Sequence, residues 1–146
     1  MTTSYWLVKS EPAKYAFSDL EREGRTIWDG VRNNAAALHL RAMKVDDQVL
    51  YYHSREGLAV VGLAKVVRES FPDPSDPAGR FVAVELAPVR ALMREVTLSE
   101  LKANPTLAAM AMLRQSRLSV SPVTAVEWAE ILTMAGEAWP PAGHEG

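Results

Sequence analysis

The chain reads as an α+β domain, a small curved sheet or partial barrel of mixed strands with helices at its periphery. Three observations lead there. Two neighbouring stretches, 48–53 (QVLYYH) and 58–68 (LAVVGLAKVVR), have the aromatic and branched residues of paired strands, with a short polar connection fit for a hairpin. Three segments, starting at Ser18, Thr97 and Thr124, place Glu three residues after a hydroxyl side chain, which is how a capped helix begins. Strand and helix signals also interleave irregularly, unlike the even alternation that builds a doubly wound parallel sheet.

Residues 5–9 (YWLVK) form the first strand, closed by Pro12, which has no amide to give to a ladder. Ser18 and Glu21 open a short helix that Gly24 ends. The stretch Trp28-Asp29-Gly30-Val31-Arg32-Asn33-Asn34 is a loop running into a helix over 34–43, with Leu38 facing inward and a turn at 44–47. Within the hairpin, Gly62 marks a bulge or a place where another group comes close. The proline-rich 71–77 is a surface loop, and 80–90 is a further strand that leaves the sheet at Pro88. Thr97 opens a helix interrupted at Asn104-Pro105, another helical piece covers 106–113, and 118–121 is a last strand before Pro122. Thr124 starts a final amphipathic helix to Met134, with Val126, Trp128, Ile131 and Leu132 on its core face and Gly136 at its end. No repeat or linker divides the chain, so 1–136 is expected to be one domain and 137–146 a mobile tail.

Composition excludes several classes of function. A chain of 146 residues without Cys can bury one core but offers neither disulfides nor thiolate metal sites. His39, His53 and His144 are far apart and lack acidic partners at ligand spacing, so no metal is expected. There is no glycine-rich phosphate loop and no Gly-x-Ser-x-Gly elbow, and no cofactor is expected. No apolar run approaches the roughly 20 residues of a membrane span, and the first residues lack a leader pattern, so the expected location is the cytoplasm. With a net charge of -2, any nucleic-acid role must rest on a local basic rim and a shaped pocket, which suits one nucleotide better than a coated strand.

The candidate site gathers Lys9, Ser10, Trp28, Arg32, Asn33, His53 and Ser54, all at strand ends or in loops. Trp28 is either a stacking face or a core aromatic, and Asp29-Gly30 either a close approach to a ligand or an ordinary turn. His53 could donate to a base edge or phosphate, or simply bond to backbone. Tyr51 and Tyr52 point to opposite faces of one strand, so at most one lines the site. Lys9 and Glu11 could serve as an acid/base pair, or be solvated charges at a strand end.

Four stretches carry a family resemblance: 5–12 (YWLVKSEP), 28–33 (WDGVRN), 49–54 (VLYYHS) and 117–120 (RLSV). Together, and in this order, they resemble the motifs of the EVE domain family over residues 5–134. The resemblance implies a PUA-like fold, a mixed β pseudo-barrel related to the YTH and ASCH domains. It also implies a pocket for a single flipped nucleobase of DNA or RNA, often a modified one, with modified cytosines such as 5-methyl- or 5-hydroxymethylcytosine the usual suggestion. Carried over residue by residue, Lys9, Ser10, Trp28, Val31, Arg32, Asn33, His53 and Ser54 match the pocket-side motifs. In that role Trp28 would clamp the base, Asn33 and Ser54 would bond its edge, and Lys9 and Arg32 would meet flanking phosphates. The chain departs from the family pattern with Ser121 where Gln commonly precedes the proline, and with Asn34 where an aromatic is common. Its 72–82 segment is also short and without Trp, which would open one wall of the groove. The expected function is therefore non-enzymatic binding of a modified base. A hydrolase of modified nucleobases or nucleosides built on Lys9 and Glu11, and a protein-interaction module, are the alternatives.

Overall fold

The computed structural model describes residues 3–137, so the expected 137–146 tail lies outside the described residues except for Glu137, which is buried and accepts from Arg90 and the Met93 amide. Its spine is a pair of parallel strands, Tyr5–Ser10 (β1) and Gln48–His53 (β3), aligned from Tyr5 opposite Gln48 to Ser10 opposite His53. Between them the chain forms the short helices Pro12–Tyr15 (α1) and Phe17–Glu23 (α2), the strand Thr26–Trp28 (β2) and the helix Asn34–Ala42 (α3). Beyond β3 come Ala59–Pro72 (β4) and Val82–Thr97 (β5), then Leu98–Ala103 (α4), a 3-10 turn at Pro105–Leu107, Ala111–Arg114 (α5), Val120–Val123 (β6) and Ala125–Met134 (α6). The six strands make one mixed sheet in the order β2-β5-β4-β3-β1-β6. Among the described residues only β1 and β3 run parallel, and β2 and β6 remain as edges, so the sheet does not close into a barrel.

Strand alternation divides the core into two layers. Trp6, Val8, Val49 and Tyr51 face one way, packing with Phe17, Leu20, Trp28 and Leu40. Leu7, Leu50 and Tyr52 face the other way and pack with Leu101, Trp128, Ile131 and Leu132. Buried Asp47 ties the parallel pair together, its carboxylate accepting from Trp6 Nε1 at 2.9 Å and from the Ser4 and Lys44 amides.

Several local expectations need correction. α2 starts one residue before Ser18: Ala16 is the N-cap, and Asp19 rather than Glu21 reaches back to its amide at 2.8 Å. Trp28, expected in a loop, ends strand β2 instead, because pairing with β5 (Trp28 opposite Val84) overrides a weak local pattern. β4 extends through Phe71 and Pro72, so the loop begins only at Asp73. β5 continues past Pro88, which sits where the β4 register slips between Leu63 and Ala64; a missing amide costs little at a bulge. β6 likewise includes Pro122, tolerated on an edge strand. Leu38 is 63% exposed because Ala36, Ala37 and Leu40 occupy the inward face of α3. Val126 is 67% exposed for the same geometric reason, while Trp128, Ile131 and Leu132 are buried as expected. The 106–113 helix is broken into the 3-10 turn and α5.

Gly62 satisfies both readings made of it. The β3 register shifts at Tyr51, and the Phe17 ring lies 2.5 Å from where a Gly62 side chain would begin.

Candidate nucleic-acid interface

The loop 29–33 connects β2 to α3 and is held from below by one carboxylate. Gly30, at φ +78°, turns its amide toward Asp73, whose Oδ2 accepts from it at 2.8 Å and from Arg32 Nη1 at 3.0 Å. The other oxygen, Oδ1, takes the Ser75 amide at 2.7 Å and hydroxyl at 2.6 Å. Burial works to raise the Asp73 carboxyl, but the Ser75 hydroxyl, the Gly30 and Ser75 amides and Arg32 outweigh it and hold the group at about 2. Arg32 also donates to Ser75 Oγ and lies over the Phe81 ring at 5.1 Å. It is thus fixed to the 73–81 loop instead of projecting freely toward a phosphate.

Trp28 ends β2 with only 9% exposure. Tyr51 meets it edge-on at 5.5 Å and Tyr15 at 6.3 Å, so it is at once a core aromatic and part of a cleft wall. That cleft has a volume of about 380 Å³, within the range of small-ligand sites. Of the residues proposed for ligand contact, it brings together Lys9, Ser10, Trp28, Val31 and Arg32. Tyr15, Thr26, Ile27, Asp29, Gly30 and Ser119 complete its lining.

Asn33, His53 and Ser54 do not line this cleft. Asn33 is the N-cap of α3, its Oδ1 accepting from the Ala36 amide at 2.9 Å. His53 Nε2 accepts from the Phe17 amide at 3.1 Å and so caps α2 from a distant strand. Burial lowers the His53 pKa, opposed by Glu95, in keeping with a neutral acceptor nitrogen. The Ser54 amide bonds to the Ser10 carbonyl, and the residue lines a separate depression with Tyr52 and Arg55. Lys9 donates to the Ser116 carbonyl at 2.9 Å, and burial lowers its pKa. Glu11 is engaged by Lys14 and Arg55 instead, so the two members of the hydrolase alternative have different partners. Ser121 is fully buried opposite Leu7 and is not part of the cleft lining. Among the described residues no group of three or more His, Cys, Asp or Glu could hold a metal ion.

Asp73 and Tyr15 are the site-shaping residues that the sequence reading missed. Asp73-Pro74-Ser75 does carry a signal, since Asp two residues before Ser is an Asx-turn pattern. Its partners Gly30 and Arg32, however, are 43 and 41 positions away.

Comparison with known proteins gives a consistent result. The sequence pattern of the EVE domain matches residues 4–134. Thymocyte nuclear protein 1 of Rattus norvegicus is 34% identical over 166 aligned positions, covering 90% of this chain and 74% of the relative. The solved structure of Rpa0253 from Rhodopseudomonas palustris aligns with a TM-score of 0.88 at 44% identity, covering 99% of this chain and 100% of that one. The human THYN1 protein, solved in complex with 5-methylcytosine-containing DNA, aligns with a TM-score of 0.86 at 30% identity, covering 93% of this chain and 99% of that one.

Proposed function

The chain belongs to the EVE domain family, and from that premise we propose that it binds a single flipped, modified base of DNA or RNA without turning it over. Two observations support the reading. A human relative alignable over 93% of the chain is seen with 5-methylcytosine-containing DNA, and here residues 28–32 (WDGVR) border a cleft of about 380 Å³. The first candidate ligands are 5-methyl- and 5-hydroxymethylcytosine.

In this reading the base enters against Trp28, with the Ser10 and Thr26 side chains beside its edge and Val31 and Ile27 beside an added methyl. Stacking on an aromatic contributes roughly 1–3 kcal/mol per base, while extrusion costs a few kcal/mol. Those terms nearly cancel, so small gains decide selectivity. Burying one methyl contributes about 0.8 kcal/mol, roughly a fourfold preference over plain cytosine. The Asp73 clasp on Gly30 and Arg32 fixes the loop before the ligand arrives, which limits the ordering cost of binding. A net charge of -2 fits a protein whose selectivity lies in a pocket. Among the described residues no helix is long and apolar enough to cross a membrane, and the cytoplasm is the compartment we propose.

The test is a fluorescence titration with short single- and double-stranded oligonucleotides carrying one plain, 5-methylated or 5-hydroxymethylated cytosine. Trp28→Phe is the paired variant, since it keeps the core filled where Trp28→Ala would leave a cavity. Preference for a modified strand, diminished in Trp28→Phe, is the expected result. Equal binding of all strands would overturn the modified-cytosine assignment. Acylated and alkylated cytidines should be recovered unchanged after incubation with the protein, and formation of a product would favour the hydrolase instead.

A further inference from the structure

Two more clefts adjoin the base cleft. One, of about 340 Å³, lies between Asn33 and the 114–118 segment. The other, of about 310 Å³, is bordered by Lys9, Tyr52, Arg55, Lys102 and Ser116 among others. All three meet along a single stretch of chain. Ser119 borders the base cleft, 114–118 borders the second, and Ser116 borders both the second and the third, while Lys9 is shared by the first and third.

The charges around this stretch are one-sided. Arg114 and Arg117 line the second cleft, and Lys9, Arg55 and Lys102 the third, and neither cleft is lined by an Asp or Glu. Of these five cations, only Arg55 has a carboxylate within ion-pair distance among the described residues. Elsewhere Arg22, Arg25, Arg90 and Arg94 are each matched with an acid. Arg32, the cation nearest the recognition loop, is already held by Asp73. A phosphate chain that leaves the base cleft on the 114–119 side meets Lys9, Lys102, Arg114 and Arg117, none of them ion-paired among the described residues.

We propose that the strand carrying the recognised base runs its flanking phosphates along residues 114–119, held by Arg114 and Arg117 in the second cleft and by Lys9 and Lys102 in the third. The assignment rests on the base-binding reading and adds to it a direction for the strand and a division of labour. The pocket supplies selectivity, and this track supplies salt-dependent affinity. Continuity with the base cleft favours a nucleic-acid backbone over an isolated anion, because one ligand could then occupy adjoining clefts together.

The experiment measures affinity for single strands with plain or 5-methylated cytosine across a salt series. The variants are Arg114→Gln with Arg117→Gln, and Lys44→Gln with Lys65→Gln as a charge-matched control outside these clefts. Circular dichroism and thermal melting check that each folds. Losing two phosphate contacts should make the slope of log K against log salt shallower by about 1.4 for a single strand. The methylated-to-plain ratio should stay unchanged, and the control should keep the wild-type slope. An unchanged slope in the Arg114/Arg117 variant, or an equal change in the control, would overturn the track. If wild type shows no methyl preference yet the Arg variant loses slope, the track stands and the base assignment fails. If wild type binds no strand at all, both fall.

Discussion

At the scale of single residues, the 29–33 loop depends on a carboxylate outside it. Asp73 accepts four hydrogen bonds and its side chain is fully buried, so its charge is stabilised almost wholly by Gly30, Arg32 and Ser75. Asp73→Asn replaces one acceptor oxygen with a donor that faces other donors. Hydrogen bonds to a charged group contribute roughly 1.5–3 kcal/mol, so we expect a loss of about 2–3 kcal/mol in urea denaturation and weaker binding of any base-carrying strand. The pH dependence has a defined sign. The folded carboxyl stands at about 2, below the usual value of about 3.9 in an unfolded chain. Its contribution is complete above about pH 4 and is lost as pH falls through about 2. The stability difference between wild type and Asp73→Asn should therefore shrink between pH 4 and pH 2. A constant difference over that range would mean that Asp73 does not act through its charge.

At the scale of elements, the informative contacts are those that fix how a helix starts or how closely it packs. Thr124 and Glu127 form a reciprocal capping box at α6, whereas Ser18 lies inside the first turn of α2 and caps nothing. Thr124→Ala should cost about 1 kcal/mol, and Ser18→Ala should leave the melting temperature unchanged. Both thermal scans are direct. Close packing gives a second prediction. A side chain at Gly62 would collide with the Phe17 ring, which is buried against Tyr51 with ring centres 5.2 Å apart. Gly62→Ala should destabilise by about 1–3 kcal/mol, and Phe17→Leu in the same chain should recover part of that loss. Additive losses in the double variant would refute the collision. These cases also show what was legible in the sequence. The boxes at Thr97 and Thr124 could be read because both partners lie within one turn. The Ser18 box misled because Asp19, one position along, satisfies the Ala16 amide instead, and because His53 reaches the Phe17 amide from another strand. β2 was hidden for a similar reason: three residues carry no periodicity, and their strand character comes from β5.

At the scale of the whole molecule, the motifs located the cleft more securely than the charges around it. Lys9, Ser10, Trp28, Val31 and Arg32 converge from β1, from the end of β2 and from the loop before α3. What a linear reading does not show is how each cation is employed. Arg32 looked free for phosphate, yet it is held by an acid 41 positions away, while Arg117, read only as part of the RLSV motif, and Arg114, which belonged to no motif, stand in a cleft without a carboxylate. This allocation bounds how the molecule should respond to salt. The chain has 18 acidic and 16 basic side chains, so its general field repels a polyanion, and attraction rests on the few cations of the track. Four phosphate contacts, at Lys9, Lys102, Arg114 and Arg117, correspond to a slope of about -2.8 for a single strand. The preference for a modified base should be the same at every salt concentration, since plain and modified strands present identical phosphates. A titration of both strands from low to physiological salt measures the two quantities together. A slope much steeper than about -3 would mean a phosphate footprint wider than these clefts. A preference that changes with salt would mean that the pocket and the track do not act independently.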